Sequence, residues 1–231
     1  MKKKLIFTLA TLICIGIMLT GCGSSAESKL EGTWIIAQYP TEVAGELVLN
    51  GDGTGTDGTG DYMENLEYIL DEENNRIIIT EEDGDTWILK LVDFNSNIPK
   101  LQKTDDPFNF YLVKEEVHEA EHQRLMKENI KLLTSVDYWR NEESMLYIRF
   151  DYAGDLESEV LKYEGGSGWL LDKDNSTSTS WEMFDTNTVQ VQIGALTGDT
   201  FIKLYILTDE SGTSYLCDSN GKILFEKYEE Q

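Results

Sequence analysis

The chain's only two histidines stand four residues apart, in His118-Glu119-Ala120-Glu121-His122. On a helix that spacing turns both imidazoles to one side, where they can share a Zn²⁺. The glutamate beside the first can then act as general base on a metal-bound water. At 100° per residue the two lie about 40° apart, on the stripe that carries Leu125, Met126, Leu132 and Leu133. The same placement suits plain packing against a core, and Glu115, Glu116 and Glu121 make the segment acidic for a buried metal helix. Packing without metal is the expectation. A second set of donors, Asn50, Asp52, Thr54 and Asp61, has the alternate spacing of a calcium loop, with Gly55 sixth and an acid twelfth. The twelfth residue is aspartate where glutamate is usual, and no helix flanks the loop, so a β-turn is the preferred account. No cofactor is expected; zinc and calcium are the alternatives. The sequence carries no nucleophile elbow, phosphate loop or basic aromatic strip.

The elements that must position these residues are mostly strands. Apolar and β-branched runs bounded by turn residues predict strands at 33–39, 46–50, 66–70, 76–80, 86–94 and 108–114. Residues 51–60, rich in Gly, Asp and Thr, read as a turn or loop, and Asn74-Asn75 and Asp83-Gly84 as hairpin turns. From Glu115 to about Ser135 there is no Gly or Pro, and Glu, Lys, Leu and Met predict one long helix. Strands resume at 145–151, 159–163, 169–171, 188–193, 201–207, 213–217 and 223–227. Val189, Val191 and Ile193 alternate with Gln190 and Gln192, as in a strand with one wet face. Asp218 to Gly221 reads as a tight turn. The order is β region, helix, β region, and the two β regions share a loose scheme of tryptophan and hairpins without enough identity to define a repeat. The fold class expected is mainly β, a barrel or sandwich. It divides into a β domain at 30–114, a helix at 115–136 and a second β region at 137–231.

Leu30-Glu31-Gly32-Thr33-Trp34, followed by Leu47-Val48-Leu49-Asn50 and Asp52-Gly53-Thr54-Gly55-Thr56, resembles the start of bacterial lipocalin-like domains. The resemblance covers 30–114. It implies a small barrel with Trp34 plugging one end, and it supplies no catalytic residue. Trp87, Tyr111, Trp139, Tyr147, Trp169, Trp181 and Tyr205 could line a ligand cup; core packing is the bland alternative. The histidine motif also resembles that of thermolysin-like zinc peptidases, because Glu142 follows Asn141 and stands twenty positions beyond His122. That resemblance implies zinc on His118, His122 and Glu142 with Glu119 as base. The chain departs from it at Glu121, in the turn-like setting of Glu142, and in lacking a helical domain behind the motif.

Lys2, Lys3 and Lys4 precede an apolar stretch from Leu5 to Leu19, too short for a comfortable spanning helix and shaped like an export signal. Leu19-Thr20-Gly21-Cys22 resembles the lipobox of bacterial lipoproteins. The resemblance implies removal of 1–21, acyl (palmitate-type) lipid on Cys22, and a tether over 22–29. Each buried methylene of such a lipid contributes roughly 0.8 kcal/mol of membrane affinity. Three of the 19 basic residues leave with 1–21, so the formal charge moves from −24 to −27. That surface repels nucleic acid and favours basic peptides or proteins. Cys14 leaves with the signal and Cys22 carries lipid, so Cys217 has no partner for an internal disulfide and reads as a small buried apolar residue. An exported chain without disulfides fits a Gram-positive-like envelope. The function expected is a membrane-anchored, non-catalytic module for a small ligand, basic peptide or protein; a zinc metallopeptidase and a structural envelope protein are the alternatives.

Overall fold

Inward apolar and outward polar residues alternate along nearly every strand, and the chain satisfies that alternation by closing a sheet on itself twice. The structure is a computed structural model. It describes residues 26–229 apart from 41–43, 105–107, 109, 159, 162–163, 173–174 and 194–199. The export segment and Cys22 lie outside the described residues.

Helix α1 (Ala26–Leu30) leads into β1 (Gly32–Ile36), β2 (Glu46–Leu49), β3 (Thr54–Thr59), β4 (Tyr62–Asp71), β5 (Arg76–Glu81), β6 (Thr86–Val92), β7 (Lys100–Lys103) and β8 (Tyr111–Lys114). Each strand pairs antiparallel with the next, and β8 closes on β1 with Trp34 opposite Lys114. Helix α2 (Glu115–Leu133) follows. The second barrel is β9 (Tyr138–Asn141), β10 (Leu146–Asp151), β11 (Gly165–Leu171), β12 (Ser176–Asp185), β13 (Thr188–Ile193), β14 (Thr200–Thr208), β15 (Ser214–Cys217) and β16 (Ile223–Tyr228). It closes where β16 pairs β9, with Lys227 opposite Trp139. The fold is thus mainly β, two closed barrels with one helix between them. Closure removes the exposed sheet edges that would otherwise template aggregation.

Both interiors are filled. Trp34, Leu47, Leu49, Ile77, Ile79, Leu89 and Leu101 pack inside the first barrel. Trp139, Trp181, Val189, Val191, Leu204 and Leu216 pack inside the second, together with Met126, Ile130 and Leu133 of α2. The two barrels share one plan. Trp34 Nε1 donates to Leu30 O at 2.7 Å, at the end of α1, and Trp139 Nε1 donates to Leu133 O at 3.0 Å, at the end of α2. Lys114 Nζ stands 4.8 Å from the Trp34 ring centroid, and Lys227 Nζ 5.9 Å from that of Trp139. The loose scheme of the sequence is therefore a structural repeat.

Several local expectations change. Residues 51–60 are a turn only as far as Gly53, after which β3 begins. A side chain at Gly55 would sit 2.2 Å from the carbonyl of Val48, so this glycine allows two strands to approach and does not mark a loop. Strands β7, β9 and β12 were not anticipated. In β12 hydroxyl residues dilute the apolar signal, yet Thr179, Trp181, Met183 and Asp185 alternate inward. The strand expected at 159–163 lies partly outside the described residues, and Val160 and Leu161 there are not in a strand. The hairpin turns fall where expected, with Asn75 at φ 50° and Gly84 at φ 91°. Among the described residues no helix is long and apolar enough to cross a membrane.

Candidate functional site

Helix α2 lies along the outside of the first barrel with its first half and under the core of the second with its last. Past Ile36 the chain leaves the ladder, and carbonyls there need donors. The two histidines supply them. His118 Nε2 donates to Ile36 O at 3.1 Å and Tyr39 O at 3.0 Å, and His122 Nδ1 donates to Ala37 O at 3.1 Å. A carbonyl only accepts, so each of these nitrogens carries the proton and offers no lone pair to a metal. The rings stack with centroids 5.9 Å apart and are buried. Glu119 is exposed. Glu142 lies beyond β9, highly exposed, and pairs with Arg140 at 3.3 Å. The structure therefore brings the two histidines together with backbone and does not bring Glu142 or Glu119 to them. Among the described residues no three His, Cys, Asp or Glu side chains are placed to hold a metal ion.

The residue that looked out of place in the motif, Glu121, has its own site. Its side chain is 1% exposed and accepts from Arg124 Nε at 2.7 Å, Lys100 Nζ at 3.1 Å and the Tyr111 hydroxyl at 2.5 Å. Burial alone would raise its pKa, but these donors overcome it and hold the carboxyl at about 2. The Tyr111 phenol is pushed above its ordinary range by burial and by Glu121.

The calcium candidates separate. Asp52 Oδ1 accepts from Thr54 N at 3.1 Å and Thr54 Oγ1 at 2.7 Å, and Asn50 Nδ2 donates to Thr54 Oγ1 at 3.1 Å. Asp61 sits in the turn at the far end of β3, about 20 Å along a strand from Thr54. The same aspartate turn recurs at Asp83, Asp209 and Asp218, each accepting from the backbone N–H two residues on. Cys217 is fully buried and unpaired, and burial pushes its thiol up to about 11.

The aromatic candidates do not meet in one cup. Trp139 and Trp181 are core, Tyr111 holds Glu121, and Trp87 Nε1 donates to Glu81 at 2.8 Å. Tyr205 stacks on Phe108 at 5.1 Å between the barrels. That junction is also tied by Thr186 N to Gln38 O at 3.0 Å and by Asn129 Nδ2 to Thr186 O at 2.6 Å. Beside it the Asp185 carboxyl is pushed up by burial, partly offset by hydrogen bonds from Thr188 and Asn187 and by His122. Tyr147 and Trp169 instead face outward on the second barrel. They join Tyr138, Arg140, Arg149 and Tyr228, which the sequence reading did not single out. The signal for them was the spacing Tyr-x-Arg, present at 138–140 and again at 147–149.

A groove of 520 Å³ lies on the outer wall of the first barrel, over β3, β4 and β5, with Thr54, Thr56, Asn65, Glu67, Thr80 and Glu82 among its walls. Fold and site together define a tandem up-and-down barrel protein with packed interiors. In comparisons with known proteins the chain matches no family model, no curated protein and no solved structure.

Proposed function

We propose that this chain is an extracytoplasmic lipoprotein, held to a membrane by lipid on Cys22, whose barrels act as a non-catalytic binding module through their outer walls. The observation that carries the reading is the filling of both interiors: with Trp34 and Trp139 fully buried in the barrel cores, ligand recognition is left to the outside. The histidines of the one sharp catalytic motif are engaged with backbone carbonyls, which supports the same reading. Glu67 and Glu82 on the walls of the 520 Å³ groove, in a chain of charge −24, suit a basic peptide or protein there. Anchoring is tested by cell fractionation. The parent chain is expected in the membrane fraction, and Cys22→Ala in the medium or as the unprocessed precursor. Full membrane retention of a completely cleaved Cys22→Ala chain would overturn the reading.

A further inference from the structure

Four neighbouring strands of the second barrel turn an aromatic and cationic set outward. Tyr228 of β16 stands opposite Tyr138 of β9, and Arg149 of β10 opposite Trp169 of β11. Arg140 of β9 stands between Tyr147 of β10 and Glu226 of β16. Alternation puts both members of each Tyr-x-Arg pair on the outer face, while Trp139 and Ile148 between them fill the core. Tyr147 meets Tyr138 edge-on at 6.1 Å and Tyr228 at 5.5 Å, and the Arg140 guanidinium lies 5.4 Å from the Tyr228 ring centroid. Trp169 is 44% exposed, and the three tyrosines are half-buried.

The charge on this wall is balanced. Arg149 pairs with Asp151 at 2.8 Å and Arg140 with Glu142 at 3.3 Å. The eight strands of the barrel carry four basic and four acidic residues in a chain of formal charge −24. A polyanion is repelled by the molecule as a whole, and a basic partner finds stronger acidic surface elsewhere. What suits the wall is an uncharged ligand with C–H faces for the rings and many hydroxyls for the paired guanidinium and carboxylate groups. Those groups stay paired when water leaves, so no lone charge is desolvated. The row from Tyr228 to Trp169 crosses three strand spacings, about 14 Å, which suits a run of sugar units better than a single ring.

We propose that the outer wall formed by β16, β9, β10 and β11 binds a neutral glycan chain. This rests on the reading of the protein as a non-catalytic binding module and names the ligand class for the second barrel. The test is affinity electrophoresis of the mature protein, as purified from membranes in detergent. Gels would contain a soluble β-glucan, an α-glucan, a galactomannan or, as a charged control, polygalacturonate. At least one neutral polymer is expected to retard the protein, and polygalacturonate is not. Trp169→Ala and Tyr147→Ala should each weaken retardation at least tenfold with unchanged circular dichroism, whereas Tyr147→Phe should keep it. Trp169 lies outside the core, so its variant carries the test even where Tyr147→Ala fails to fold. Retardation by no neutral polymer, retardation only by polygalacturonate, or undiminished binding by folded Trp169→Ala each overturns the proposal. Cys22→Ala localisation is read independently, so failure here leaves the anchoring reading intact.

Discussion

An imidazole whose N–H holds a backbone carbonyl cannot be removed without taking a donor from that carbonyl. From sequence alone, His118→Leu would be tolerated or stabilising, because leucine suits an apolar stripe. The bonds from His118 to Ile36 O and Tyr39 O reverse that sign. His118→Leu is expected to destabilise by about 1–3 kcal/mol, the cost of removing a donor from buried backbone acceptors, as read by urea titration. Protein purified without a chelator should contain far less than one zinc per chain by elemental analysis; one zinc, lost in His118→Leu, would show that the ring turns to a metal in solution. Glu121 makes a pH prediction. Its folded pKa, about 2, lies below the ordinary 4.5, so it contributes stability that is present above about pH 4.5. That contribution fades as pH falls through 2. A shift of this size corresponds to about 3 kcal/mol. Glu121→Gln should lose an amount of that order at pH 7, and its stability should fall less steeply than the parent's between pH 5 and 2.

At the level of elements, each barrel core holds a tryptophan bonded to a helix terminus. The last carbonyls of a helix lack intrahelical donors, and the indoles of Trp34 and Trp139 supply one each. Removing either ring loses a fully buried aromatic and that bond, so Trp34→Ala and Trp139→Ala should each cost roughly 3–5 kcal/mol. Equal effects at the two positions would match the shared plan. A change within about 0.5 kcal/mol at either, by equilibrium denaturation, would mean that the ring does not carry the core.

Over the whole molecule, α2 is the shared part. Its histidines and Glu121 bind the first barrel, and Met126, Ile130 and Leu133 belong to the core of the second. Asn129, Thr186 and Gln38 add direct bonds between the two. The barrels should therefore unfold together. Thermal melts followed by tryptophan fluorescence and by far-ultraviolet circular dichroism should superimpose, on a native spectrum dominated by β structure with a minor helical part. Two separated transitions would show that the junction couples the barrels weakly.

Alternation of apolar residues and the turn signals at Asn74-Asn75, Asp83-Gly84 and Asp218–Gly221 determined by themselves that the chain is mainly β, and absence of Gly and Pro determined the helix. Those are local properties, set by backbone sterics and by period. Strands β3 and β12 were not legible locally, because serine, threonine and glycine become strand residues only when a neighbouring strand fixes them. The partners of the histidines were beyond sequence for a different reason. A pair at helical spacing looks the same whether it meets a metal or a carbonyl, and which it meets depends on a segment about 80 residues away in the chain. The same holds for the outward wall of tyrosine, tryptophan and arginine, which Tyr228 joins only when β16 closes on β9. Strand pairing set by register, and for Tyr228 barrel closure, a long-range contact that no local pattern encodes, decided which of these residues share a surface.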